Sequence, residues 1–475
     1  MSEPVPPLVL PTGEMRAIGY RVVDLIVDHF ASQHDQPVGR VADRETLDAL
    51  LREPMPEAGR PAEEVLDRVR REVLPFVLHV DHPRFFGFVP GPGNFVGAMA
   101  DAITAGLNVF QGTWLASSGP SEVELVTTDW LREACGLPAG AGGLFVSGGS
   151  VANITALGVA RHLRLADETV GAVVYLSEQT HSSVERGLAV LGFAPAQIRR
   201  LPCDDRFRLD LGALRAAVAA DRASGLVPFC VVANAGTTNT GAIDPLPELA
   251  DYCEAEGLWL HADGAFGAAT VLSPRGRALL EGLDRVHSLS IDPHKWLFQP
   301  FECGCVLVRD AHWLTETFAV HPEYLQDTRT EHGEVNFAER GIQLTRRFRA
   351  LKLWMSLQVF GRAAFAEAIE RGFALAERAE ALLSAMPGWE VVSPAQLGTV
   401  CFRRAWPAVA EEENDRRNAA LVELLLESGF AFTSSTRIGD RTVLRLCTIN
   451  PRTREAEIEE TLVRLDALAT EQWSA

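Results

Sequence analysis

Ser288-Leu289-Ser290-Ile291-Asp292-Pro293-His294-Lys295-Trp296 decides how this chain is read. Its first half closes a short apolar run, residues 285–291, that predicts a buried strand. Its second half turns at Pro293 and sets a lysine among aromatic and apolar neighbours. Residues 142–147, 172–177, 229–233, 258–263 and 303–309 are similar short apolar runs, most with a helical pattern before or after them. Strands alternating with helices predict an α/β fold, a mostly parallel sheet with helices on both faces. Ligands of such sheets bind beyond the carboxyl ends of the strands, so the residues that follow each run carry the functional information.

The rest of the chain extends from this core. With 475 residues it is too long for one ordinary hydrophobic core and predicts two or three domains. Residues 1–80 read as a helical segment with too few long helices to bury its own apolar face, so it should pack on another domain or on a partner subunit. Residues 81–365 hold the alternating region. Residues 366–475 read as a smaller α+β domain: a long Ala/Glu/Arg helix, short strands at 391–392, 399–402 and 443–447, and a final helix from about Thr453.

Composition excludes several classes. A net charge of -19 argues against nucleic acid or an anionic membrane surface as the main partner. Met1 to Pro11 lacks the basic start and apolar core of a signal peptide, and no apolar run has the length of a membrane helix. The eight cysteines form no paired CxxC clusters, which argues against disulfides and metal ligation and predicts a reducing cytoplasm. No residue is assigned to a metal.

Of the 44 basic residues only two, Lys295 and Lys352, are lysines. Arginine has taken nearly every position that needs only a charge. A surviving lysine therefore points to a need for an amine, because a guanidinium cannot be deprotonated to act as a nucleophile. Lys352 lies in a helical pattern, Phe348-Arg349-Ala350-Leu351-Lys352-Leu353-Trp354, and reads as structural. Lys295 follows a strand in apolar surroundings, where desolvation frees the amine for imine formation.

Four more polar clusters follow predicted strands. Ser147-Gly148-Gly149-Ser150 opens a helix, where small residues let backbone N–H groups approach an anion. Alone it reads first as a tight turn with an N-cap. His181 sits in Glu178-Gln179-Thr180-His181-Ser182, and Thr237 in the loop Gly236-Thr237-Thr238-Asn239; each is a weak signal by itself. Asp263 ends an apolar strand and needs a positive or hydrogen-bonding partner. A protonated pyridine nitrogen and an arginine would serve equally. Together the clusters supply an anion cradle, a ring-stacking imidazole, a carboxylate for a ring nitrogen and an amine, the set that pyridoxal 5'-phosphate (PLP) chemistry requires.

These residues resemble the group II PLP-dependent decarboxylases, which act on aromatic amino acids, histidine or glutamate. The matching stretches run in family order from about residue 80 to 360. They include His82-Pro83-Arg84-Phe85-Phe86, His261-Ala262-Asp263-Gly264-Ala265, Asp292-Pro293-His294-Lys295-Trp296 and Arg346-Arg347-Phe348-Arg349. The resemblance implies a fold-type-I PLP enzyme, a homodimer with active sites at the subunit interface, that decarboxylates an L-amino acid. Lys295 would be the Schiff-base lysine. Asp263 would hold the ring nitrogen charged, Ala265 would lie against one ring face and His181 on the other. Gly149, Ser150 and Asp292 would sit near the phosphate. The family often has Asn in place of Asp292, and a carboxylate there would repel the phosphate. Thr237 and His294 would line the pocket. Phe88, Pro90 and Phe110 match positions near the substrate side chain and favour an aromatic substrate.

One departure bears on the product. Decarboxylases of the family usually carry a proton-delivering tyrosine in a mobile loop before the Arg-Arg-Phe-Arg motif. Counting back from Arg346 without gaps puts Phe337 there. In relatives with Phe at this position the product is an aldehyde, with ammonia and peroxide. The chain has four tyrosines, Tyr20, Tyr175, Tyr252 and Tyr324, of which only Tyr324 is near that loop. Water, His181 or a shifted Tyr324 would restore plain decarboxylation. A different class also competes. Gly148-Gly149-Ser150-Val151-Ala152 loosely resembles a nucleophile elbow with His181 and Asp263 as partners. The order Ser, His, Asp is wrong for an α/β-hydrolase, and Lys295 is left without a role. A PLP-binding protein without catalysis is a further alternative.

Overall fold

The computed structural model describes residues 8–320, 323, 327 and 333–473. Its central sheet has seven strands: β1 (Gly142–Val146), β2 (Ala172–Ser177), β3 (Ile198–Leu201), β4 (Val227–Asn234), β5 (Trp259–Asp263), β6 (Ser288–Ile291) and β7 (Gly304–Val308). Their order is β1-β7-β6-β5-β4-β2-β3. The β6–β5, β5–β4, β4–β2 and β2–β3 pairs are parallel, and β7 runs against both β6 and β1. All strands except β7 thus deliver their carboxyl ends to one edge. The fold is the expected α/β architecture.

Both faces of the sheet are covered. On β1, Phe145 enters one apolar cluster while Leu144 and Val146 enter another. The same alternation separates Val173 and Tyr175 from Val174 and Leu176 on β2, and Cys305 and Leu307 from Val306 and Val308 on β7. A pleat of period two with two buried faces explains why these segments read as unbroken apolar runs. β3 escaped the sequence reading because Ile198-Arg199-Arg200-Leu201 is an edge strand, partly exposed, with no such run.

A second sheet contains β8 (Trp389–Gln396), β9 (Thr399–Arg404), β10 (Ser434–Ile438) and β11 (Arg441–Cys447), antiparallel in the order β10-β11-β9-β8. Phe402, Leu444, Leu425 and Leu462 build its core with the helices Glu411–Glu427 and Glu455–Trp473. The helix Ala350–Ala385, broken at Gly361, links the two cores. Its Phe365, Ile369 and Phe373 pack into the large sheet's cluster, and its Leu375, Ala379 and Leu383 into the small sheet's. At the other end of the chain, no residue of the helix Thr12–Ser32 is buried, and Tyr20, Val23 and Val27 are exposed. Among the described residues no helix is long and apolar enough to cross a membrane.

Candidate active site

The carboxyl edge of the parallel strands encloses a cavity of about 450 Å³. The start of the helix that follows β1 contributes Gly149 and Ser150, the turn after β2 His181, the end of β5 Asp263, the turn beyond it Ala265, and the turn after β6 Asp292, His294 and Lys295. Residues far apart in sequence meet because parallel strands end together. A larger groove, about 1070 Å³, runs along Trp130, Leu283 and Arg362 and contains none of them.

Asp263 is 7% exposed and sits where β5 ends. Oδ2 accepts from Asn153 Nδ2 at 3.0 Å; Oδ1 accepts from Ser290 Oγ at 3.1 Å and from the Ala265 N–H at 3.2 Å. These donors are neutral, so a buried carboxylate is fixed in place and left to meet a cation from the cavity. Behind it, Asn153 Oδ1 lies 3.0 Å from His261 Nε2, and His261 Nδ1 lies 2.9 Å from Ser288 Oγ. Burial pushes His261 down to about 4, so it is neutral. Asn153, Ser290, His261 and Ser288 were missed as site residues. Their signal was present: His261, Ser288 and Ser290 are polar residues on strands whose every position is buried.

His181 caps the helix Ser182–Val190. Its Nδ1 accepts from the Ser183 N–H at 3.2 Å, which leaves the ring proton of the neutral form on Nε2. The ring is open to solvent on one side, yet desolvation by the surrounding walls lowers its pKa below the ordinary imidazole value. Lys295 Nζ pairs with Asp292 Oδ2 at 2.9 Å, and its side chain is 23% exposed. His294 lies 3.6 Å from the same oxygen, and desolvation lowers its pKa too.

Other expected residues lie elsewhere. Thr237 turns inward: its Oγ1 accepts from the Ala242 N–H at 3.1 Å and meets Thr240 Oγ1 at 2.9 Å, closing its own loop. Thr238 lines the cavity in its place. Phe88, Pro90 and Phe110 do not line it; Phe88 is 59% exposed. Phe337 is fully buried, with the Arg346 guanidinium 4.9 Å from its ring centre. Tyr324 lies outside the described residues. Lys352 is structural, as its helical setting predicted: Nζ donates to Asp101 Oδ2 and to the carbonyls of Pro300 and Glu302. The hydrolase alternative fails on geometry, because His181 Nδ1 is bonded to Ser183 and Asp263 to Asn153, Ser290 and Ala265.

The cavity fits PLP. The helix Gly149–Leu165 presents its amino end, and a Cβ on Gly149 would come within 3.0 Å of both Ala265 and Asp292, so the space is kept open by the absence of a side chain. Asp263 offers a fixed carboxylate for the ring nitrogen and Lys295 an amine. The sequence of residues 45–405 matches the pyridoxal-dependent decarboxylase conserved domain.

The chain belongs to the pyridoxal-dependent decarboxylase family.

As a family member it is a PLP-dependent amino-acid decarboxylase. It is 49% identical to an aromatic-L-amino-acid decarboxylase of Bacillus atrophaeus, over 98% of this chain and 97% of that one. A phenylacetaldehyde synthase of Arabidopsis thaliana is 31% identical, over 94% of each chain. The crystal structure of Oryza sativa TDC with PLP and tryptamine superposes with a TM-score of 0.92 at 31% identity, covering 99% of this chain and 100% of that one.

Proposed function

We propose that this decarboxylase converts an aromatic L-amino acid to its amine and carbon dioxide, in the cytoplasm, as a homodimer. The observation that carries the chemistry is Asp263, a buried carboxylate held by three neutral donors and lining a cavity that Lys295 also lines. When bound, PLP supplies an electron-accepting ring for the electron pair left as carbon dioxide departs. Asp263 would keep the ring nitrogen protonated and so sustain that sink. Lys295 would anchor the cofactor through its amine, Ala265 and His181 would flank the ring, and Gly149 and Ser150 would face the phosphate, with Thr238 and His294 lining the cavity. A solvent proton would reach the α-carbon by way of His181, whose neutral ring carries its proton on Nε2.

An aromatic substrate is supported by the 49% identity to an aromatic-L-amino-acid decarboxylase. Phe88, Pro90 and Phe110 would supply its apolar contacts from the opposite subunit. The uncovered apolar side of the helix Thr12–Ser32 supports that dimer. We divide the chain into an N-terminal segment 1–80 that packs on the partner, a cofactor domain 81–365 and a small domain 366–475. Eight free cysteines support a reducing compartment.

One observation favours a second product. Phe337 has no proton to give, and among the described residues no tyrosine lines the cavity. Aldehyde formation is therefore the second reading. The test is an amino-acid panel scored for carbon dioxide, amine, aldehyde and peroxide together. Amine without peroxide rejects aldehyde formation; aldehyde and peroxide in equal amounts reject simple decarboxylation.

A further inference from the structure

Where the helix Thr12–Ser32 ends, three side-chain atoms crowd together far from the cofactor cavity. His29 Nε2 lies 2.9 Å from Asp81 Oδ2, Gln33 Nε2 lies 2.6 Å from the same oxygen, and the two nitrogens are 3.1 Å apart. Hydrogen bonds cannot satisfy all three contacts. The Gln33 NH2 donates to Asp81. If His29 Nε2 carries a proton, it donates to Asp81 and meets the NH2 donor to donor. If it carries none, it accepts from Gln33 and meets the carboxylate acceptor to acceptor. One side of the triangle is repulsive either way. Gln33 is also 1% exposed, and its Oε1, on the other arm of the same amide, is buried with no hydrogen-bond partner among the described residues. Leaving a buried carbonyl bare is costly.

A fourth group stands beside the triangle. The His79 ring faces the His29 ring, with centroids 5.1 Å apart, and makes none of these hydrogen bonds. The turn closed by the His82 N–H on the His79 carbonyl, at 3.0 Å, brings His79 and Asp81 to one side. A ring nitrogen of each histidine and an oxygen of Asp81 lie within 4.8 Å of one another. Arg452 directs its Nη2 to the carbonyls of Asp81 and Gly93, at 3.1 and 3.3 Å, and leaves the carboxylate to the cluster. A groove of about 1340 Å³ opens onto the histidines, and its walls carry Asp28, Glu423 and Glu427 against Arg40 and Arg70. The carboxyl end of a helix also favours a cation.

We propose that His29, His79, Asp81 and Gln33 bind one divalent transition-metal ion of the zinc class, which ties the end of the N-terminal helix to the turn leading into the cofactor domain. Two imidazoles with two oxygens suit Zn2+ and not Mg2+ or Ca2+, which take oxygen ligands. A half-turn of the Gln33 amide puts Oε1 where Nε2 stands. The lone pairs of His29, Asp81 and Gln33 then converge on the ion, and the carbonyl is no longer bare. Tetrahedral zinc, with bonds of about 2.0–2.1 Å, holds its ligand atoms roughly 3.3 Å apart, so the triangle opens by less than about 0.8 Å and His79 turns in. Four protein ligands leave no open position, so the ion is structural. The site shares no lining residue with the cofactor cavity.

The test strips untagged holoenzyme with a chelator, removes the chelator and titrates Zn2+ by calorimetry, beside His79→Phe and Asp81→Asn. His79→Phe keeps the ring contact and the hydrogen-bonded triangle and removes only a ligand. Wild type is expected to bind one Zn2+ per chain, at least about tenfold more tightly than either variant. Its melting temperature should rise with Zn2+ while theirs does not. Equal affinity in the three proteins, or no saturable binding by wild type, overturns the proposal. The zinc-edge X-ray absorption spectrum of wild type needs no variant and covers the case in which the substituted chains do not fold. Imidazole nitrogen and oxygen at about 2.0–2.1 Å are expected; sulfur ligation, or a shell without imidazole, overturns the proposal.

Discussion

Replacing Asp263 by Asn tests whether its charge, and not its shape, drives the reaction. In wild type Oδ1 receives the Ala265 N–H and the Ser290 hydroxyl, and Oδ2 receives the Asn153 amide. The backbone N–H of Ala265 cannot reverse, so an Asn must point its oxygen there and its NH2 toward Asn153. Asn153 can then turn its own oxygen forward and offer its NH2 to His261, which switches tautomer against Ser288 Oγ. The contact from Asn153 Nδ2 to Ser183 Oγ, 3.2 Å, is the bond lost. The expected loss of stability is about 1 kcal/mol, which moves the melting temperature by less than about 3 °C in a chain of this size. The loss in catalysis is much larger. Removing one preorganised charge from a closed site lowers kcat by about 10²–10³, or roughly 3–4 kcal/mol. Asp263→Ala instead leaves the Asn153, Ser290 and Ala265 donors unpaired, at about 1–3 kcal/mol each, and should lower both stability and kcat. The assay is kcat at saturating PLP, with cofactor content read by absorbance and stability by thermal melting. Asp263→Asn with kcat within fivefold of wild type at full loading would refute the role given to this charge.

The two lysines should separate in the cofactor readout. Lys295→Ala abolishes the visible absorbance of the lysine imine and also leaves the buried Asp292 carboxylate without its cation, whereas Lys352→Met keeps the absorbance and loses about 1–3 kcal/mol in urea unfolding for each of the two carbonyls, of Pro300 and Glu302, that it strands. Arg346→Met breaks a fully buried ion pair to Glu124 Oε1 at 2.6 Å and two bonds to the carbonyls of Phe145 and Gln111; we expect a loss of about 3–5 kcal/mol in the same measurement. Buried His82 and His261 are each lowered to about 4, mainly by desolvation. Both bind protons on unfolding below about pH 6.5, so their contribution is complete above that pH and is lost as pH falls toward about 4. Urea unfolding across this window should show stability falling by up to about 1.4 kcal/mol per pH unit for each histidine. A flat profile would show that they are not held neutral.

The sequence determined the architecture and the cofactor. Apolar runs such as 172–177 and 258–263 announced strands buried on both faces, and the sets at Gly149, His181, Asp263 and Lys295 announced chemistry because polar residues followed each run. Sparse lysine made Lys295 conspicuous. Two strands stayed hidden, since Arg199-Arg200 in β3 and Ser434-Ser435-Thr436-Arg437 in β10 lie partly exposed and leave no apolar trace. Tertiary structure decided what spacing cannot encode: which atoms point at the cavity. It turned Thr237 into its loop and presented Thr238, because the loop's own N–H groups needed an acceptor. It placed Asn153 and Ser290 behind Asp263, because parallel strands and the helix crossing them bring residues more than a hundred positions apart to one carboxylate. It buried Phe337 under Arg346, a position fixed by the packing of the chain before the Arg-Arg-Phe-Arg motif. And it joined Asp292 to Lys295 while leaving one carboxylate oxygen without a partner, a pairing that sequence spacing does not record.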